Sequence, residues 1–189
     1  MTREQLAHVL RAAAKIASDP NILVVGSQAI LGSHSEDELP EVAWMSVEAD
    51  LAFFDDTTNP SKSDEVDGSI GELSQFHETF SYYGQGVDLT TAKLPDGWEP
   101  RLVPFQPPSS APAEAKCVEK HDLVISKLVA MREKDKAFAE APLDAGLVDL
   151  RTLLERVEHL HCVPKPTQHA VRAWLEAAAR RAAKPKPAE

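Results

Sequence analysis

Between Met45 and Phe54 the side chains alternate with a period of two. Val47, Ala49, Leu51 and Phe53 fall on one side, and Ser46, Glu48, Asp50 and Ala52 on the other. That is the pattern of a strand with one face on a core, and it commits the chain to a sheet, because a strand needs partners. Three more segments qualify. Ile22 to Val25 is a short, fully apolar strand ending at Gly26-Ser27. Val87, Leu89 and Thr91 alternate with Asp88 and Thr90. Arg101 to Phe105 reads as a fourth strand, which Pro104 confines to an edge because proline cannot donate to a ladder.

Helices surround these strands. Thr2-Arg3-Glu4-Gln5 is a capping box opening a helix whose apolar face is Leu6, Val9, Leu10, Ala13 and Ala17, stopped at Asp19-Pro20. Gln28 to Leu31 is expected to turn helical, Gly32–Pro40 to connect onward and Asp55–Gly68 to form a polar loop. Ile70–Tyr83 should hold a short helix closed by Gly84 and Gly86, with Leu94-Pro95-Asp96-Gly97 as a turn. Gln106–Ala115, with three prolines, is the expected linker. Helices follow over His121–Ala141, Ala145–His159 and Thr167–Ala183. The reading is therefore an α/β (α+β) fold, a small mixed sheet with flanking helices. Residues 1–115 would form the core and 116–189 a helical region packed on it, with the last six or so residues frayed.

Composition narrows the function classes. With 189 residues, 43% hydrophobic and 26% charged, the chain can bury a core as one domain with a helical appendage. Aromatics, at 6%, are too sparse for a platform stacking many nucleic-acid bases, and a net charge of −10 excludes a generic phosphate-coating protein. No apolar run approaches the roughly 18 residues of a spanning helix. Met1–Leu10 lacks the n- and h-regions of a signal peptide, so a cytoplasmic location without membrane contact is expected. Two cysteines, Cys117 and Cys162, give neither a disulfide framework nor a four-ligand zinc pattern. The charge is polarised. Glu36 to Asp67 holds eleven acids against Lys62 alone, whereas Lys165 onward holds six basic residues against Glu176 and Glu189. Such polarity is either a solvated surface or a separation of a cation-holding pole from a polyanion-contacting one.

Glu48 and Asp50 leave the same strand face with Cα atoms about 6.6 Å apart. Two carboxylates that close repel unless a cation lies between them. A magnesium-type ion takes one or two carboxylates and completes its shell with water and substrate phosphates. Asp88, on the polar phase of another expected strand, would make a third acid if the strands neighbour each other. Gly26-Ser27 stands between a strand and a helix, where backbone amides and a hydroxyl can approach a phosphate. Two bland alternatives remain: E-x-D as the polar side of an ordinary strand, and Gly-Ser as an ordinary turn.

The order and spacing of these elements resemble the minimal bacterial nucleotidyltransferases of the DNA polymerase β-like superfamily, and within it the AbiEii and MenT toxin nucleotidyltransferases. Val25-Gly26-Ser27-Gln28-Ala29, Glu48-Ala49-Asp50, Asp88 and the helix His121–Ala130 with Arg132, Lys134 and Asp135 carry the resemblance, over roughly Asn21 to Leu154. It implies that Gly26 and Ser27 bind nucleotide phosphates and that Glu48, Asp50 and Asp88 hold Mg²⁺ or Mn²⁺, with Asp88 as a candidate general base. It also implies that Lys127 meets the phosphates of an incoming NTP. The family pattern is Asp-x-Asp; here glutamate stands first, one methylene longer. The resemblance further implies a tRNA 3′ end as acceptor, with an antitoxin protein as partner, and the basic C-terminal helix would suit tRNA phosphates.

Leu123 to Met131 is apolar nearly all round except for Ser126 and Lys127. A lysine there either snorkels to water or meets an anion. Lys134, two turns on, extends that face as a second nucleotide-binding candidate, and Asp135 could pair with either. His159-x-His161 with Cys162 is the sole cluster of metal-ligand types, beside Pro164 and Pro166 where exposed histidines are ordinary. No Walker A, Rossmann or G-x-S-x-G pattern occurs. The activity expected is metal-dependent transfer of an NMP from an NTP to a hydroxyl. Nucleotide transfer to a small molecule, and a degenerate fold retained as a protein-binding module, are the competing readings.

Overall fold

The structure is a computed structural model and describes residues 1–182. The expected fraying of the last residues, and Lys184 and Lys186 of the basic tail, lie outside that range. Helix α1 (Arg3–Ile16) begins at the capping box: Thr2 accepts from the Gln5 amide and Gln5 reaches back to the Thr2 amide. Its buried stripe is Leu6, Ala7, Val9, Leu10, Ala13 and Ala14. Strand β1 (Ile22–Val24) follows, then a 3-10 turn over Ser27–Gly32, a short helix α2 (Glu41–Trp44) and strand β2 (Glu48–Phe53). Helices α3 (Lys62–Ile70) and α4 (Gln75–Phe80) lead to β3 (Tyr83–Gly86). Strands β4 (Val103–Phe105) and β5 (Ala115–Cys117) complete a five-stranded mixed sheet in the order β3-β2-β1-β5-β4.

Strand β1 runs antiparallel to β2 and parallel to β5, while β2 and β3 are parallel. Ala49, Leu51 and Phe53 are buried on the face that packs against α1 and α3. The alternation read from the sequence therefore turns Glu48 and Asp50 to the opposite face, over which lie the Ser27–Gly32 turn and the first helix of the C-terminal region. Pro104 sits on the edge strand β4, as its missing N–H requires.

Four expectations are corrected. Lys62–Gly68, read as loop, belongs to the helix Lys62–Ile70: Ser61 caps it by accepting from the Asp64 amide, and Val66 and Ile70, four apart, are buried. The third strand ends at Gly86, and Leu89–Thr91 form a 3-10 turn rather than strand. Gln106–Ala115 is not a spacer between two bodies. Pro108–Ser110 pack on α1, Ser110 is buried, and Ala115–Cys117 enters the sheet between β1 and β4. Finally, His121–Ala141 is two helices, α5 (Lys120–Ala130) and α6 (Glu133–Asp144), broken where Met131 adopts φ 53°, the left-handed region.

Helices α5, α6, α7 (Leu150–Val157) and α8 (Lys165–Ala182) share a second apolar cluster built on Val124, Ile125, Leu128, Leu153, Val157, Val171 and Leu175. Leu123 and Phe138 from the same helices belong instead to the sheet's core, so α5 and α6 serve both. Charge joins the two regions as well. Asp122, 1% exposed, receives Arg101 Nε at 2.7 Å and Arg156 Nη1 at 3.0 Å. Arg156 also pairs with Glu119, whose other oxygen lies 2.7 Å from His121 Nδ1. Because the Asp149 amide donates to His121 Nε2 at 2.9 Å, the ring proton belongs on Nδ1, where it donates to Glu119.

Burial alone would raise the Glu119 carboxyl, but the His121 hydrogen bond and Arg156 outweigh it and hold it down at about 2. A depressed carboxylate stabilises the fold above its unfolded value of 4.5, and the contribution is lost as pH falls toward 2. Urea unfolding at successive pH values should show stability declining across that window by about 2–3 kcal/mol. Glu119→Gln should be less stable above pH 5 and flatter below it.

Candidate active site

The site begins where β1 stops. The Val25 amide donates to Asp50 O at 3.0 Å, and the chain then turns at Gly26 into the 3-10 segment. Gly26 has an ordinary φ of −84°, so space rather than backbone freedom demands glycine here. A Cβ would stand 1.5 Å from Asp50 Oδ2. The Gly-Ser turn thus rests directly on the second acid of the E-x-D pair. Gln28, wholly buried, fastens the turn to the approach of β2, its Nε2 donating to Ser46 O at 3.0 Å and Trp44 O at 3.3 Å.

Glu48 and Asp50 are both half-buried on one face of β2. Burial first, and the adjacent Asp50 charge second, raise the Glu48 carboxyl above its ordinary value, while Lys127 and Lys134 oppose the shift. Burial, then the charges of Glu48, Glu72 and Asp50, push the Tyr83 phenol up to about 12. This is the signature of like charges gathered where water is scarce. Lys127, from α5, is half-buried with its ammonium 5.7 Å from the centroid of the Phe138 ring. The charge of Lys134 also acts on Glu48 from the exposed start of α6, across the Met131 break rather than along one helix face.

Asp135 meets neither lysine. It is buried and takes Arg132 through Nε at 2.5 Å and Nη2 at 3.2 Å. Arg132 in turn feels the charges of Asp50 and Glu48, which makes it a third cation at this mouth. Sequence reading had placed Arg132 in the motif without giving it a role, because the turn that aims it depends on the αL residue at 131.

The structure does not bring Asp88 to the pair. Asp50 lies opposite Gln85 in the β2–β3 register, three residues or roughly 10 Å before Asp88 along the strand direction. Leu51 lies opposite Gly86, so Asp88 follows the core-side phase and then leaves the ladder. Its carboxylate accepts from the Thr90 amide at 2.7 Å and hydroxyl at 2.5 Å, capping the Leu89–Thr91 turn and lowering its pKa. Among the described residues no group of three or more His, Cys, Asp or Glu is arranged to hold a metal ion. Glu48 and Asp50 nevertheless fit magnesium chemistry, which needs only one or two carboxylates when phosphates and water supply the rest. The His159–Cys162 stretch is otherwise engaged: His161 Nδ1 lies 2.7 Å from Asp96, and Cys162 Sγ donates to Leu94 O.

Two larger cavities lie elsewhere. One of about 420 Å³ is lined by Leu89, Lys93, Trp98 and Cys162, another of about 930 Å³ by Lys120, Glu140, Asp149 and Arg181. Neither contains Gly26, Glu48, Asp50 or Lys127. The carboxylate site is polar and half-buried.

Residues 4–177 match the family described as "Nucleotidyltransferase of unknown function (DUF6036)". No curated protein and no solved structure matches the chain.

The Gly26–Asp50 contact predicts a double-mutant signature. Gly26→Ala should destabilise the protein by about 1–3 kcal/mol as an overpacking change, and most of that cost should vanish in an Asp50→Gly background, measured as a coupling energy by urea unfolding. Glu48→Gln should raise the thermal midpoint of the metal-free protein at pH 8 and do so less near pH 4. A raised carboxyl favours the folded state only when protonated, so its ionised form costs stability as pH rises.

Proposed function

The chain belongs to that nucleotidyltransferase family, and from this we propose that it moves a nucleoside monophosphate from an NTP to an acceptor hydroxyl, releasing pyrophosphate, with Mg²⁺ or Mn²⁺ held by Glu48 and Asp50. The observation that carries the reading is the contact of Asp50 with Gly26, which puts a phosphate-type turn and a pair of like-charged carboxylates in one place. A divalent ion bound there supplies charge neutralisation at the phosphates and polarises the attacking and leaving oxygens.

The chain's own residues do the rest. Gly26 lets the backbone come close, and Ser27, the next residue of the turn, would offer its amide and hydroxyl to a phosphate. Lys127, Lys134 and Arg132 face the carboxylates from α5 and α6, where they would receive the triphosphate oxygens and steady the departing pyrophosphate. Arg132, tied to Asp135 by two of its nitrogens, is the preorganised member of the three. Asp88 is given no part in this scheme, since its carboxylate is spent on the Thr90 cap.

For the acceptor we propose the 3′ end of a tRNA, as in toxin nucleotidyltransferases, with an antitoxin as partner. One observation favours a small hydroxyl compound instead. Arg172 pairs with Glu158 and Glu176, and Arg181 with Glu140 at 2.9 Å, so part of the basic face of α8 is already neutralised.

Each labelled NTP should be incubated with Mg²⁺ or Mn²⁺ and either total tRNA or small hydroxyl compounds. Wild type should transfer label in one arm, and Asp50→Ala should lower the rate at least 100-fold, on the order of losing a principal electrostatic group. Lys127→Ala should act mainly on the apparent KM for NTP. Label in neither arm overturns the enzymatic reading and favours a protein-binding module.

A further inference from the structure

Tyr83 stands directly opposite Glu48 in the parallel β2–β3 ladder. Residues opposite each other share a sheet face and lie within reach of a side-chain hydrogen bond. The ring is immobilised: Tyr83 is 7% exposed, and the His77 ring lies 4.6 Å away, centroid to centroid, tilted by 46°. His77 is itself held, its Nδ1 accepting from the Leu73 amide at 3.1 Å and its own amide donating to Ser74 Oγ. The tyrosine thus stands level with Glu48 on a held wall of the sheet, and the charges of Glu48, Glu72 and Asp50 are close enough to act on its phenol.

This arrangement answers a problem set by the sequence. Glutamate has one more rotatable bond than the aspartate of the family pattern, so its carboxylate can wander further. We propose that Tyr83 is a positioning residue that donates a hydrogen bond to Glu48 and fixes this longer arm for the divalent cation. The inference rests on the metal role of Glu48 and Asp50 proposed above, and it concerns how that site tolerates glutamate in its first position. The tyrosine touches neither nucleotide nor metal; it acts through Glu48.

The test is Mn²⁺ binding, followed by electron paramagnetic resonance and calorimetry, without nucleotide. Wild type, Tyr83→Phe, Glu48→Asp and the double variant are compared, with near-ultraviolet circular dichroism as the folding control. Tyr83→Phe should weaken Mn²⁺ binding roughly 10-fold, the usual scale for losing the partner that orients a ligand. Tyr83→Met, a second filler without a hydroxyl, should do the same. Aspartate is too short to use the phenol, so adding Tyr83→Phe to Glu48→Asp should change affinity less than about 2-fold. Wild-type affinity in both Tyr83 variants, or the same loss in either background, overturns the inference while leaving the metal site standing. Absence of Mn²⁺ binding by the wild type, both without nucleotide and with a non-transferable NTP analogue present, overturns the metal site and this inference together; where only the analogue supports binding, the variants are compared in its presence.

Discussion

Two carboxylates that repel each other share one face of β2, one of them pressed against Gly26, and the surrounding fold is arranged to keep them there. Glu48 and Asp50 are half-buried, with the Glu48 carboxyl raised by burial and by its neighbour, so their ionised pair opposes folding. It persists because three stronger commitments over-determine it. Ala49, Leu51 and Phe53, the other face of the same strand, are buried under α1 and α3. The antiparallel pairing of β1 with β2 sets Gly26 against Asp50. Gln28 then ties the turn to the backbone just upstream of Glu48. A one-residue slip of β2 would exchange its faces, burying the acids and exposing the core. The hydrophobic alternation that makes the strand is therefore also what aims the chemistry.

A single segment supplies most of what faces the acids. In His121–Asp135, Asp122 gathers Arg101 and Arg156 and so fixes the start of α5 to the sheet region and to α7. Removing one partner of such a buried group leaves the others uncompensated, which makes Asp122 a structural requirement rather than a catalytic one. Five residues on, Lys127 emerges beside Phe138 toward the pair. The left-handed Met131 stops the helix, and Arg132, bound to the buried Asp135, begins the next one. A continuous helix would carry Lys134 onward along its own axis. The break is what folds Arg132 and Lys134 back to the same mouth as Lys127.

The parts legible in the sequence were those governed by local physics. The capping box of α1, the period-two pattern of β2 and the edge proline of β4 each follow from a handful of adjacent residues. Gly26, Glu48 and Asp50 were legible because the elements carrying them neighbour each other in space. What sequence could not supply was register. Val87, Leu89 and Thr91 alternate as a strand would, yet the ladder ends at Gly86 and Asp88 closes a turn instead. Only the β2–β3 pairing shows that Tyr83 and Gln85, not Asp88, lie level with the acids. Helix α3 escaped notice because its acidic surface outweighs a stripe of only Val66 and Ile70. The break at Met131 has no glycine or proline to announce it.

The acidity of the Glu36–Asp67 segment looks at first like a broad cation-binding pole, but part of it is used locally. Glu38 closes a capping box with Ser35. Asp56 receives the Lys62 amide and the Ser63 hydroxyl at the start of α3, and Lys62 reaches Asp19 at 2.8 Å. On the polar face of β2, Glu48 and Asp50 have no capping or ion-pair role among the described residues and are opposed by three cations from α5 and the start of α6. A chain of net charge −10 repels polyanions at long range, and screening within roughly 8–10 Å at physiological salt confines attraction to groups close at hand. Under the reading proposed above, a triphosphate would be drawn to this face, where Lys127, Lys134 and Arg132 stand. The same distribution favours a ligand that enters as a metal–nucleotide complex over one bound broadly along its phosphates.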